Sequence, residues 1–266
     1  MRNAVFAIVG LFVLLMWAPV IQAAPFEDWL GLEQLDHGAV VIRYDVQPGV
    51  RTKLMITKGQ DKYTYELSAD KPQETFPLQM GNGEYTVSVL EQVGGTRYKL
   101  VEEAAVTLQL TNDSKVFLNS VQNVNWSEGD QAVQLAKKLT GSLQSDEEKV
   151  QAVYEYIIGT IKYDHALASS ELTGYLPDNN RTISGQQGMC YDYASLFASM
   201  LRSIGIPTKL VMGTSEYVEV YHAWNEVYLN GQWVTIDTTV DASWRSSGYG
   251  FKMIKDASRY MADKFY

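Results

Sequence analysis

Residues 185–207, Gly-Gln-Gln-Gly-Met-Cys-Tyr-Asp-Tyr-Ala-Ser-Leu-Phe-Ala-Ser-Met-Leu-Arg-Ser-Ile-Gly-Ile-Pro, constrain the chain more than any other stretch, because they fix where its only cysteine must sit. Apolar or small residues recur as Cys190, Ala194, Phe197, Leu201 and Ile204, a spacing that traces one face of a 3.6-residue helix. Gly188 suits an entry turn, Gly205 a C-cap, and Pro207 cannot continue the helix, so both ends are bounded. Cys190 therefore falls in the first turn. There the unpaired N–H groups and the positive end of the macrodipole favour thiolate over thiol, which predicts a nucleophile. The competing reading is a small buried hydrophobe, the commoner role of an unpaired cysteine.

The first 24 residues sharpen that choice. Their single charge is Arg2, followed by the apolar run from Ala4 to Ile21 and then Ala23 and Ala24. This pattern predicts a signal peptide over 1–24, cleaved after Ala23, and no stable membrane span once it is removed. Loss of Arg2 leaves 21 basic against 31 acidic residues, a charge near −10. Such a balance argues against nucleic-acid binding, which needs a basic face, and fits a secreted or extracytoplasmic protein, free or associated with the cell surface. An exported chain with one cysteine forms no internal disulfide, so its thiol is kept for chemistry or is incidental.

Period-two alternation dominates residues 38–110. Val40, Ile42, Tyr44 and Val46 form one set, Tyr63, Tyr65 and Leu67 another, and further runs cover 85–90, 98–101 and 106–110. Short strands separated by Gly-rich turns predict a small β-sandwich-like accessory domain over 25–110. Residues 111–126 are polar and read as a linker. Capped helices begin beyond it: Ser127 with Asp130, and Ser145 with Glu148, have capping-box spacing. Val150, Val153, Tyr154, Ile157 and Ile158 then form an apolar stripe. Residues 164–187 lack periodicity and read as a long loop leading into the cysteine helix. The expected class is α+β, with a catalytic domain over 127–266.

After the helix, strands are expected over 208–213, 220–229 and 232–237, the last two joined by Asn230-Gly231. Asn-Gly is the strongest two-residue hairpin signal. That turn opposes residues whose numbers sum to 461, so Trp224 faces Asp237 and His222 faces Thr239. His222 and Asp237 then share a face as diagonal neighbours, within reach of a carboxylate–imidazole hydrogen bond. Cysteine, histidine and aspartate are what nucleophilic acyl transfer requires. One of each could also bind zinc, but a structural site needs four ligands, and the paired spacings are absent. No metal and no cofactor are expected.

Gly-Met-Cys-Tyr-Asp-Tyr-Ala-Ser-Leu, Met-Leu-Arg-Ser-Ile-Gly-Ile-Pro-Thr, Tyr-His-Ala-Trp-Asn-Glu-Val and Trp-Val-Thr-Ile-Asp-Thr-Thr, in that order over about residues 145–241, resemble the transglutaminase-like superfamily. The resemblance implies a papain-like core in which a cysteine-bearing helix packs on an antiparallel sheet. It assigns the nucleophile to Cys190, the general base to His222 and the orienting acid to Asp237. Family members commonly have Pro after that Asp, where Thr238 stands here. The expected activity is that of a secreted thiol enzyme that cleaves or transfers acyl groups of peptide-like amides through a thioester, as a cysteine peptidase, amidase or transglutaminase. Its partners would be peptide or protein substrates, including cell-envelope peptides. Gln186, Gln187 and Trp224 are further candidates for substrate binding, the two glutamines as oxyanion donors. The alternative is a non-catalytic cell-surface binding or scaffold protein whose second domain has decayed.

Overall fold

Alternating hydrophobic residues in the N-terminal half give antiparallel strands in the computed structural model, which describes residues 28–170 and 173–266. The expected signal peptide lies outside the described residues. Strands β1 (Leu30–Gly31), β2 (Ala39–Arg43) and β5 (Gln73–Pro77) form a sheet in the order β1-β2-β5. Strands β3 (Thr52–Lys58), β4 (Asp61–Leu67), β6 (Gly83–Gly94) and β7 (Arg97–Leu108) form another, ordered β4-β3-β6-β7. Their inward side chains, among them Val40, Ile42, Leu54, Ile56, Phe76 and Val87, belong to one apolar core. The runs expected at 98–101 and 106–110 are a single strand, β7. Glu102 and Glu103 interrupt the hydrophobic pattern but stay paired with β6.

The helical half is assembled around the cysteine helix. Helices α1 (Gln131–Thr140), α2 (Asp146–Thr160), α3 (His165–Ala168), α4 (Asn179–Gly185), α5 (Cys190–Ser203) and α6 (Thr238–Ser246) accompany a sheet of β10 (Thr208–Ser215), β11 (Val218–Leu229), β12 (Gln232–Ile236) and β13 (Tyr260–Phe265), ordered β12-β11-β10-β13. A short parallel pair, β8 (Lys162–Tyr163) and β9 (Gln187–Gly188), lies between α2 and α5 in the chain. At the start of α2, Ser145 Oγ accepts from the Glu148 N–H at 3.2 Å and the Glu148 carboxylate accepts from the Ser145 N–H at 3.1 Å. Such a cap contributes about 1 kcal/mol. At α1, Asp130 accepts from the Ser127 N–H at 2.7 Å, but the helix starts at Gln131, later than the capping-box spacing implied.

Every residue of α5 from Asp192 to Arg202 is buried, so the helix is central rather than one-faced. Leu196, Phe197, Met200 and Leu201 pack with Val150, Tyr154 and Ile157 of α2, while Ala194 and Ala198 meet Leu210 and Ala223 of the sheet. The α5-on-sheet packing is fixed further by Asn225, whose side-chain amide donates to the Ala194 carbonyl at 2.9 Å.

Residues 111–126, expected as a polar linker, are packed rather than loose. They contain a 3-10 helix over Asp113–Leu118, capped by Asn112, with Val116 and Phe117 buried. The stretch that follows lies along α5: Ser195 Oγ donates to the Asn123 carbonyl at 2.9 Å and Arg202 to the Asn119 carbonyl at 2.7 Å. Val121 and Val124 join the same core as the N-terminal sheets and the inner face of α5. Asn112 caps the 3-10 helix, and the backbone carbonyls of Asn119, Asn123 and Asn125 accept from Arg202, Ser195 and Ser199 of α5. Among the described residues no helix is long and apolar enough to cross a membrane.

Candidate active site

Three interactions fix the segment that delivers Cys190. Gly188 pairs with Tyr163 across β8 and β9, and its carbonyl accepts from the Asp164 N–H at 2.9 Å. A Cβ on Gly188 would lie 2.7 Å from Asp192 Cβ, so the closeness of approach selects glycine. Asp192, fully buried, accepts from the Met189 N–H at 3.0 Å and from the Tyr175 hydroxyl at 2.5 Å. Burial raises the Asp192 pKa above its ordinary value, although Tyr175, the Met189 N–H and the Arg181 charge oppose the rise. Cys190 is the first residue of α5 and is partly exposed.

The hairpin obeys the Asn-Gly register as far as it extends. Leu229 pairs with Gln232, Val227 with Val234 and Asn225 with Ile236, and Asn230 and Gly231 both have positive φ, at 51° and 81°. That is the backbone of a two-residue primed turn. β12 stops at Ile236, so Trp224–Asp237 and His222–Thr239 are not ladder pairs. Asp237 instead caps α6, its Oδ1 accepting from the Val240 N–H at 3.0 Å. Thr238 is thus the first residue of α6, a position where proline is well tolerated, so Pro and Thr are compatible with the same turn.

His222 Nε2 lies 2.9 Å from Asp237 Oδ2, with side-chain exposures of 3% and 0%. The Tyr260 hydroxyl donates to the same Oδ2 at 3.0 Å. Burial works against a charged imidazole, but hydrogen bonds and charge from Asp237 and from the Cys190 side chain outweigh it and raise the His222 pKa to about 10. With Nε2 engaged by Asp237, Nδ1 is the nitrogen left for the thiol. Asp241, one helical turn on, is committed elsewhere: it accepts from Tyr154 at 2.8 Å and pairs with buried Lys255. Burial pushes Asp241 up to about 6, against the bonds from Lys255 and Tyr154.

The remaining candidates lie elsewhere. Gln186 and Gln187 are exposed; Gln186 is left-handed at φ 50° and its carbonyl accepts from the Lys162 N–H at 2.8 Å. Trp224 is 2% exposed, so it offers no surface to a substrate. It stacks against the His222 ring, 6.3 Å between centroids, and packs on Tyr260 at 5.0 Å. Tyr260 and Asp192 carried no sequence signal, because each acts through a contact that only the tertiary fold creates. The expected loop 164–187 contains α3 and α4. Asp178 caps α4 through the Arg181 N–H at 3.0 Å, but its Asn-Asn-Arg-Thr sequence has no apolar stripe. Beside His222 opens a cavity of about 640 Å³ whose walls include Tyr163, Tyr193, Tyr217 and Trp244. Among the described residues no group of three or more His, Cys, Asp or Glu side chains is placed to hold a metal ion.

Residues 133–238 match the transglutaminase-like superfamily, a span that includes α5, the hairpin and Asp237. It is that region, rather than the whole chain, that is similar to the transglutaminase-like superfamily. The chain is α+β, with the cysteine-bearing α5 packed on an antiparallel sheet. The kyphoscoliosis peptidases of Mus musculus and Homo sapiens are each 32% identical to it over 117 residues, 40% of this chain and 17% of theirs. The chain thus spans about a sixth of the length of these relatives. Uncharacterized protein YebA of Bacillus subtilis is 27% identical over 71% of this chain and 30% of its own. Among solved structures, a candidate cysteine protease from Cytophaga hutchinsonii is similar at 17% identity and a TM-score of 0.46, covering 86% of this chain and 75% of that one. Legionella pneumophila LapG is similar at 16% identity and a TM-score of 0.35, covering 52% and 82%.

Proposed function

We propose that the chain is a cysteine-dependent acyl-transfer enzyme acting on peptide-like amides in an extracytoplasmic compartment, with cell-envelope peptides among its substrates. The observation that carries this reading is the buried His222–Asp237 pair at 2.9 Å, with the Cys190 side chain close enough to help raise the His222 pKa, at the edge of a cavity large enough for a peptide side chain. The extracytoplasmic assignment rests on the sequence of residues 1–24 alone.

In the reactive form the Cys190 proton resides on His222, whose pKa is raised to about 10. The sulfur attacks the amide carbonyl, forming a C–S bond, and the negative charge moves to oxygen. The free N–H groups at the start of α5 are donors suited to that oxyanion. His222 then gives its proton to the leaving nitrogen as the C–N bond breaks, and a thioester remains. Water or an amine attacks the thioester while His222 takes the incoming proton, which releases the acid or the new amide and regenerates the thiolate. Asp237 orients the ring through its 2.9 Å hydrogen bond to Nε2.

Mass spectrometry of the chain mixed with activated peptide esters tests this. An acyl adduct on Cys190 that hydroxylamine removes, absent in Cys190→Ala, is the expected result. If the chain never acquires an adduct, or Cys190→Ala acquires it equally, Cys190 is not the nucleophile. Product analysis with and without added amine separates hydrolysis from transamidation.

A further inference from the structure

The cavity beside His222 carries a charge opposite to that of the chain around it. The chain has 31 acidic and 22 basic residues, yet Lys162, His165, His222 and Arg245 line this cavity and no Asp or Glu does. The two fixed cations are not equivalent. Arg245 is held by Glu155 at 2.6 Å. Lys162 is exposed, and its ammonium has no hydrogen-bond or ion-pair partner among the described residues. Its backbone is nevertheless fixed, because β8 pairs Lys162 with Gln187 and Tyr163 with Gly188, immediately ahead of the segment that presents the sulfur. Burial raises the pKa of Tyr163, the next residue, and Cys190 is close enough to add a smaller electrostatic contribution.

We propose that this cavity binds an anionic group of the acyl donor, a carboxylate near the scissile amide, with Lys162 as its counter-charge, so that the enzyme acts on acidic peptides. The inference rests on the thiol-enzyme reading of Cys190 and names the substrate class of that site. A partly enclosed site with aromatic walls screens charge less than open water does, so an unpaired ammonium there acts at longer range than one on a flat surface. Specificity follows from repulsion as well as attraction: a cationic side chain in the same place would meet Lys162, Arg245 and protonated His222 together. The acidic remainder of the surface gives no such attraction to an acidic peptide, which makes the cavity the discriminating element.

Two reagents that attack the same sulfur isolate this charge. Rates of Cys190 alkylation by anionic iodoacetate and by neutral iodoacetamide are measured on the full chain near neutral pH, and their ratio cancels changes in intrinsic thiol reactivity. Lys162→Glu is expected to lower the iodoacetate-to-iodoacetamide ratio about fivefold or more. Lys138→Glu, the same charge change on the exposed side of α1, is expected to leave the ratio where it was. A ratio unchanged by Lys162→Glu, or lowered equally by both variants, overturns the proposal. If Cys190 reacts no faster than a free cysteine in every variant, the thiol-enzyme reading has failed instead, and the cavity is judged by binding alone. Calorimetry on Cys190→Ala with an alternating Ala-Glu peptide and its Ala-Gln counterpart then decides: at least about fivefold tighter binding of the former, lost in Lys162→Glu, supports the anion site. Equal binding, or none by either peptide, sinks it.

Discussion

Tyr260 donates its hydroxyl, at 3.0 Å, to the same Asp237 oxygen that His222 engages at 2.9 Å. The other Asp237 oxygen is occupied by the Val240 N–H at the start of α6. The carboxylate is thus held from a strand, a helix and the imidazole at once, with no exposed surface. Tyr260 comes from β13, the edge strand on the far side of β10 from β11, so the C-terminal strand contributes directly to the setting of His222.

Removing that hydroxyl tests the contribution. Tyr260→Phe keeps the ring that packs on Trp224 and Tyr217 and deletes one hydrogen bond, which contributes about 1 kcal/mol. Asp237 Oδ2 loses one of its two hydrogen-bond partners and is left to His222 alone. The expected outcome is a higher His222 pKa in an NMR titration, with a fall of about tenfold in acyl-transfer rate. An unchanged titration would mean that the hydroxyl only fills space.

Substitution is expected to separate the roles of Asp237 and Asp241. Asp237→Asn is expected to fold and to lose activity by about a thousandfold, because an amide can hold the wrong imidazole tautomer. Asp241→Asn should do the reverse. It leaves Lys255, 4% exposed, without its counter-ion and is expected to cost about 3 kcal/mol in urea denaturation. Activity per folded molecule should change little. The opposite pattern would transfer the orienting role to Asp241.

The parts that were legible in the sequence share a local cause. Asn230-Gly231 determines its own turn, and the turn determines the ladder up to Ile236. Ser145 and Glu148 cap each other within one turn of helix. Gly205 and Pro207 end α5 without help from elsewhere. What sequence patterns missed depends on distant partners. β3 and β5 carry weaker strand signals: β3 alternates Leu54 and Ile56 with Lys53 and Met55, and the apolar Met55 on the outer face blurs the contrast between the two faces. The polarity of residues 111–126 suggested solvent, yet their carbonyls were satisfied by Ser195, Ser199 and Arg202, far along the chain. The Asp237 cap on α6 ended β12 a residue earlier than strand pattern implied, which turned an expected ladder neighbour into a helix cap.

The raised His222 pKa makes stability depend on pH. The folded value is about 10 against an ordinary 6.5, so the folded state binds the proton more tightly than the unfolded chain does. The resulting stabilisation is fully present below about 6.5 and is lost progressively as pH rises through about 10. Urea midpoints measured across that window should fall for the wild type and fall less for His222→Asn. Parallel curves for the two proteins would show that the imidazole carries no such linkage.

Gly188 offers the sharpest test of how Cys190 is positioned. An added methyl would meet Asp192 Cβ at 2.7 Å and its Oδ2 at 3.2 Å, and Asp192 is buried with nowhere to retreat. Gly188→Ala must therefore displace the carboxylate from the Met189 N–H or move β9 away from β8. Overpacking of this kind costs about 1–3 kcal/mol. Either displacement shifts the first turn of α5, so Cys190 alkylation by iodoacetamide should slow along with the loss of stability. Gly185→Ala is the matched control, since a Cβ there meets nothing within 4 Å and the position is helical, where alanine is preferred. It should leave both readouts near wild type. If the two alanine variants behave alike, the contact between Gly188 and Asp192 does not set the geometry of the thiol.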